Sequence, residues 1–124
     1  MCAPRVEKGW IRAAPLAATS FAGYAVVHND CPKPVVITGV KGHDFMMAMI
    51  HRTAIEAGVS QMRHVKLAPI PAGSRLTFSP GGMHMMLMHP RRALPPGTLV
   101  RIELILADGR SIPAELTVRR EPPP

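Results

Sequence analysis

Two imidazoles and two thioethers, those of His51, Met62, His84 and Met86, are the side chains of this 124-residue sequence whose types and spacing could do chemistry. Thioether sulfur and imidazole nitrogen make a soft donor set. Such a set suits Cu(I) and is a poor one for Mg²⁺, Ca²⁺ or structural zinc, which call for carboxylates or thiolates. Thioether has a further merit: it stays unprotonated at physiological pH and forms no disulfide, so it survives in an oxidising compartment where a thiolate ligand would be lost. Cu(II) prefers nitrogen donors, so His51 and His84 are the pair that would hold the oxidised ion.

The spacing adds to the chemistry. His84 and Met86 are two apart, so in a strand they leave one face about 7 Å from each other, within reach of one ion. His51 and Met62 bracket a turn, and a hairpin could bring them together. The stretch PGGMHMMLMHP is dense in sulfur, with four methionines and two histidines between Met83 and His89. Methionine is also a routine filler of core gaps, and a histidine has many roles besides ligation. On that reading Met46, Met83 and Met85 are core. Met47, Met49, Met88, His43 and His89 stay open; Met49 on the His51 face and Met88 on the His84 face are candidate auxiliary ligands.

Strands must position these residues. Fourteen prolines and ten glycines punctuate the chain, which favours short strands and turns over long helices. RVEKGWIRAAP reads as a first strand, GYAVVHND as a second and VVITGV as a buried third. FMMAMIHRT alternates and is read as a strand rather than a helix. RLTF and MHMMLMH follow. TLVRIELILADGRSIPAELTVRR is two β-rich runs joined at Asp108-Gly109, a dipeptide suited to a type I′ turn. Eight or nine strands fit an all-β, two-sheet Greek-key sandwich in a single domain over residues 1–120, with EPPP, residues 121–124, as a flexible Pro-rich tail. If the first two strands pair with Arg12 roughly opposite Gly23, the same register places Cys2 near Cys31, and the two cysteines are expected to form a disulfide.

Composition narrows the function classes. The formal charge is +7, but basic residues come singly or in pairs such as Arg91-Arg92, and five aromatics give little to stack on bases, so nucleic acid is not expected as a partner. No apolar run approaches the roughly eighteen residues of a membrane span, and MCAPRVEKGW carries no h-region of a signal peptide. A start Met set directly against Cys2 fits a mature chain whose export signal is gone. No phosphate loop, C-x-x-C, G-x-S-x-G or H-E-x-x-H occurs, and eight scattered acidic residues make no catalytic carboxylate pair, so no enzyme is expected.

The order His51, ten residues, Met62, twenty-one residues, His84, one residue, Met86 resembles the H-x10-M-x21-H-x-M signature of the PCu(A)C family, periplasmic copper chaperones of bacteria. GWIRAAP resembles that family's opening Trp-x-Arg-x-x-P strand, GYAVVHND its second strand, and PGGMHMMLM its P-G-G-x-H-x-M-L-M segment. The resemblance implies a cupredoxin-like sandwich, a surface Cu(I) site, a periplasmic location, and a role in supplying copper to respiratory oxidase assembly. Its implied partner is an acceptor protein with a copper centre, served by a monomer that does not span the membrane. Members usually carry an acidic residue two before the first His, where this chain has Met49. Two rival readings use the same residues: copper sequestration, and a metal-free interaction sandwich whose Met face packs a partner.

Overall fold

The computed structural model describes residues 2–124 and is built of ten strands: β1 (Arg5–Arg12), β2 (Ser20–His28), β3 (Val35–Gly42), β4 (Phe45–Glu56), β5 (Val59–His64), β6 (Ala68–Ile70), β7 (Arg75–Phe78), β8 (Met83–Pro90), β9 (Leu99–Leu106) and β10 (Ser111–Arg119). No helix of the described residues is long and apolar enough to cross a membrane. The hydrogen-bonded path runs β5-β4-β8-β2-β1-β10-β9-β3-β6, with β7 added on β2. All pairs are antiparallel except β1 with β10, which are parallel.

The sheet folds over to make a sandwich because its strands alternate. In β9 and β10 every second residue is buried, Val100, Ile102, Leu104 and Leu106 against Ile112, Ala114, Leu116 and Val118. From the other layer Val27, Ile50, Met85 and Leu87 enter the same cluster. Each such Val, Leu, Ile or Met side chain contributes about 1.5–3 kcal/mol by leaving water.

One turn differs from the sequence reading. At Asp108-Gly109 only Gly109 is left-handed, with φ +93°, and Asp108 is not, so the connection is not type I′. Gly109 N–H donates to the Leu106 carbonyl and Asp108 Oδ1 accepts from Arg110 N–H, a longer loop held by its own aspartate. Between β4 and β5, in contrast, Ala57 and Gly58 both have positive φ, +51° and +78°, with Glu56 directly opposite Val59. That two-residue loop has the I′ geometry and fixes the register of the hairpin.

Cys2 and Cys31 are joined by a disulfide with Cα atoms 5.8 Å apart, and Cys31 is buried. The bridge continues the β1–β2 pairing beyond Arg5 opposite His28. On the chain-entropy model, closing 29 residues stabilises the fold by about 3.6 kcal/mol. Cys31→Ser should therefore lower the unfolding free energy by about that amount, read by urea titration against untreated protein. An unchanged midpoint would deny the bridge a stabilising role. At the other end, Pro122 and Pro123 border a cleft with Trp10 and Phe78, and Pro123 is half-buried.

Candidate metal centre

β4 lies between β5 and β8, and register sets its outward face. His51 stands opposite His64 on β5 and opposite His84 on β8; Thr53 stands opposite Met62; Met49 faces Met86 and Met47 faces Met88. Residues directly opposite in an antiparallel pair share a face, and so do residues two apart along a strand. Met47, Met49, His51, Met62, His64, His84, Met86 and Met88 therefore share one side of three strands. The other side of β4 and β8 gives Ile50, Met85 and Leu87 to the core.

The four residues singled out by spacing are thus brought onto one surface, together with both auxiliary candidates. His84 is 5% exposed, His51 is half-buried and Met62 is 60% exposed, so the face grades from a sheltered imidazole to an open thioether. The His51 and His84 rings lie 5.8 Å apart between centroids, edge to face. Two imidazoles on one tetrahedral ion, with metal–nitrogen bonds near 2 Å, have centroids about 5 Å apart, and about 6 Å when trans. The observed separation is within that range.

Hydrogen bonding points the same way. His51 Nδ1 and His84 Nε2 are buried from water and have no partner among the described residues. A buried polar nitrogen without a partner costs about 1–3 kcal/mol, and a ligand that accepts its lone pair removes the cost. Burial, and then the neighbouring His84 and His64, push the His51 pKa below the ordinary histidine value, which keeps the ring neutral and able to ligate. Among the described residues no carboxylate takes part. Glu56 is paired with Arg63, and Asp44 is held by Arg92 with its carboxyl below the usual range.

One sequence reading needs adjustment. Met46, read as core, is 64% exposed. Burial does not alternate at the start of β4: Phe45 is buried opposite Pro90, Met46 and Met47 are both exposed, and His89, next to Pro90 on β8, takes a positive φ of +55°. Met85 is fully buried and Met83 packs partly on the core, as read. His89 is exposed and follows Met88 on β8, so it does not share the face of His84 and Met86, and His43 lies in the β3–β4 turn. The sequence reading also passed over His64, whose ring lies 6.1 Å from His51. A two-residue loop at Ala57-Gly58 was the available signal, since it forces His51 opposite His64.

Comparison with known proteins follows the same outline. Residues 5–118 match the LpqE-like family, described as "Putative lipoprotein LpqE-like". A relative from Leifsonia xyli subsp. xyli, "Putative lipoprotein Lxx21020", is 30% identical over 116 residues, spanning 93% of this chain and 69% of that protein. Among solved structures, apo-DR1885 from Deinococcus radiodurans superposes with a TM-score of 0.72 at 29% identity, over 95% of this chain and 79% of its own. Its Cu(I) form, CuI-DR1885, gives 0.71 at 29%, over 91% and 76%. The copper-bound PCuAC domain from PmoF2 gives 0.77 at 24%, over 95% and 93%, a likeness of fold. The chain therefore belongs to the LpqE-like family, and its fold is that of the PCuAC domains.

Proposed function

We propose that this protein is an extracytoplasmic copper chaperone, a carrier and not a catalyst, which holds one Cu(I) through His51, Met62, His84 and Met86 and passes it to a protein copper centre such as that of a respiratory oxidase. The observation that carries the reading is the pair of buried, unpartnered nitrogens His51 Nδ1 and His84 Nε2, on a face that also presents Met62 and Met86. Two thioethers with two imidazoles select Cu(I) over harder ions. The copper-bound relatives support the cargo. The open position of Met62 suits transfer, since a recipient's ligands can approach the ion from that side.

The lipoprotein character of the relatives supports a site of action outside the cytoplasm, as does a disulfide, which persists in oxidising compartments. A sulfur committed to the Cys2–Cys31 bridge carries no thioether-linked lipid. Cys2 is therefore not a lipid attachment point while the bridge is intact.

Titration with Cu(I) against a competing chelator tests the reading, with one tight equivalent expected per chain. Mixing the loaded protein with an apo oxidase copper domain tests delivery; retention of all the copper would favour sequestration. The paired rungs Met49–Met86 and Met47–Met88 continue the donor face away from the histidines. A second Cu(I) equivalent, weaker by about a hundredfold, is expected there, on thioether ligands alone. Met47, Met49 and Met88 changed together to Leu should remove the weak equivalent and spare the tight one. Loss of the tight equivalent instead would move Met49 into the principal ligand set.

A further inference from the structure

We infer that His64 is a third imidazole ligand that gives this face a separate capacity for Cu(II), through His64, His51 and His84, beside the Cu(I) set. The inference rests on the copper reading above and deepens it. His64 lies outside the His51, Met62, His84, Met86 motif and owes its place to register: the Ala57-Gly58 turn sets β5 against β4 so that His64 falls opposite His51, just as His84 does on the other flank. The Val65 N–H donates to the Ile50 carbonyl at 2.8 Å and holds the end of β5 in that alignment.

The three rings thus form a row across three neighbouring strands, with His51 in the middle, 6.1 Å from His64 and 5.8 Å from His84 between centroids. Cu(II) prefers nitrogen donors in a tetragonal arrangement, and imidazoles from three neighbouring strands of one face would supply three of them. Cu(I) has no such need and is better served by the two sulfurs. Met62 and His64, two apart on one face of β5, then divide the labour, the thioether serving the reduced ion and the imidazole the oxidised one.

Among the described residues, no three His, Cys, Asp or Glu side chains already converge on one point. One ring has to turn, and His64 is the one that can. It is exposed on the edge strand, whereas His84 is fixed in the sheet with 5% of its surface exposed. The His51 nitrogen without a partner gives the ion its central anchor.

The test compares the parent with His64→Ala, on full-length disulfide-bonded protein, in parallel titrations with Cu(II) and with Cu(I), each against a competing chelator. Circular dichroism confirms that both proteins are folded, as expected for a change at an exposed edge position. The expected result is a loss of Cu(II) affinity of tenfold or more in His64→Ala, with Cu(I) affinity kept within about threefold. The electron paramagnetic resonance spectrum should change from a three-nitrogen to a two-nitrogen pattern. Equal Cu(II) affinity in the two proteins overturns the inference. So does an equal fall for both ions, which would make His64 an ordinary ligand of the Cu(I) site. Failure of the parent to bind Cu(I) counts against the chaperone reading alone, because the Cu(II) comparison and its nitrogen count report on imidazoles only.

Discussion

Met62 and Met86 changed together to Leu should lower Cu(I) affinity by about a thousandfold, on the order of 4 kcal/mol, and leave the fold almost untouched. Leucine matches methionine in volume and apolar character, so a swap of this kind costs under about 1.5 kcal/mol even in a core. Neither site is deep in the core: Met62 is 60% exposed and Met86 half-buried. What the change removes is the soft half of the donor set. Cu(II) held by imidazoles should persist in this variant. The reverse experiment, His51 and His84 both changed to Ala, should damage binding of both oxidation states.

Acid imitates the histidine variant in part, since protons compete for imidazole and not for thioether. The His51 pKa is lowered by burial and by two histidine neighbours, so its ring stays available somewhat below the ordinary histidine range before protons displace copper. For the copper-free fold the sign is fixed by the same shift. The unfolded chain takes up the proton first, near pH 6.5, so stability falls as pH drops through that value and levels off once folded His51 is also protonated. Unaltered Cu(I) affinity in the methionine variant would sink the ligand assignment and return Met62 and Met86 to a packing role.

The candidate ligands were legible because a strand has a period of two. His84 and Met86 must share a face whatever the strand pairs with, and Met49 must share one with His51. The type of element followed from turn residues and alternation. Pairing was harder to read, because β4 meets β8 across a long separation and no local signal names the partner; the row of His64, His51 and His84 exists only through those two pairings. His64 could have been found from the hairpin, but Ala57 is an unusual residue for a left-handed turn position and hid the two-residue loop. Asp108-Gly109, a stronger dipeptide, took another loop because the aspartate side chain bonds within its own turn. Strict alternation would put Met46 in the core, but at that end of β4 burial does not alternate, Phe45 being buried and Met46 and Met47 both exposed. The parallel β1–β10 pair had no sequence signal at all.

That parallel pair carries the other large effect: Gly9→Ala should destabilise the fold by about 3 kcal/mol and lower the melting temperature by roughly 10 °C. β1 holds a bulge here, its register against β2 shifting between Glu7 and Trp10, with Lys8 at a left-handed φ of +54°. The bulge brings the Gly9 backbone against β10. A Cβ at this position would press on the Glu115 carbonyl oxygen and stand 2.6 Å from Cδ2 of Leu116, a fully buried side chain. Backbone cannot step aside as a flexible side chain can, so β1 would have to part from β10 just before Trp10 meets Thr117. The strain would reach the metal face through β2, which pairs with β1 on one side and with β8, opposite Met86 and Met88, on the other. Gly39→Ala is the control. Its Cβ would meet only Ile105 Cδ1 at 3.7 Å, an ordinary contact, and an added methyl there should change stability by less than about 1 kcal/mol. Thermal unfolding of both variants decides the matter: equal melting temperatures would mean that β1 and β10 are not packed as closely as Gly9 requires, and that the sandwich closes by some other contact.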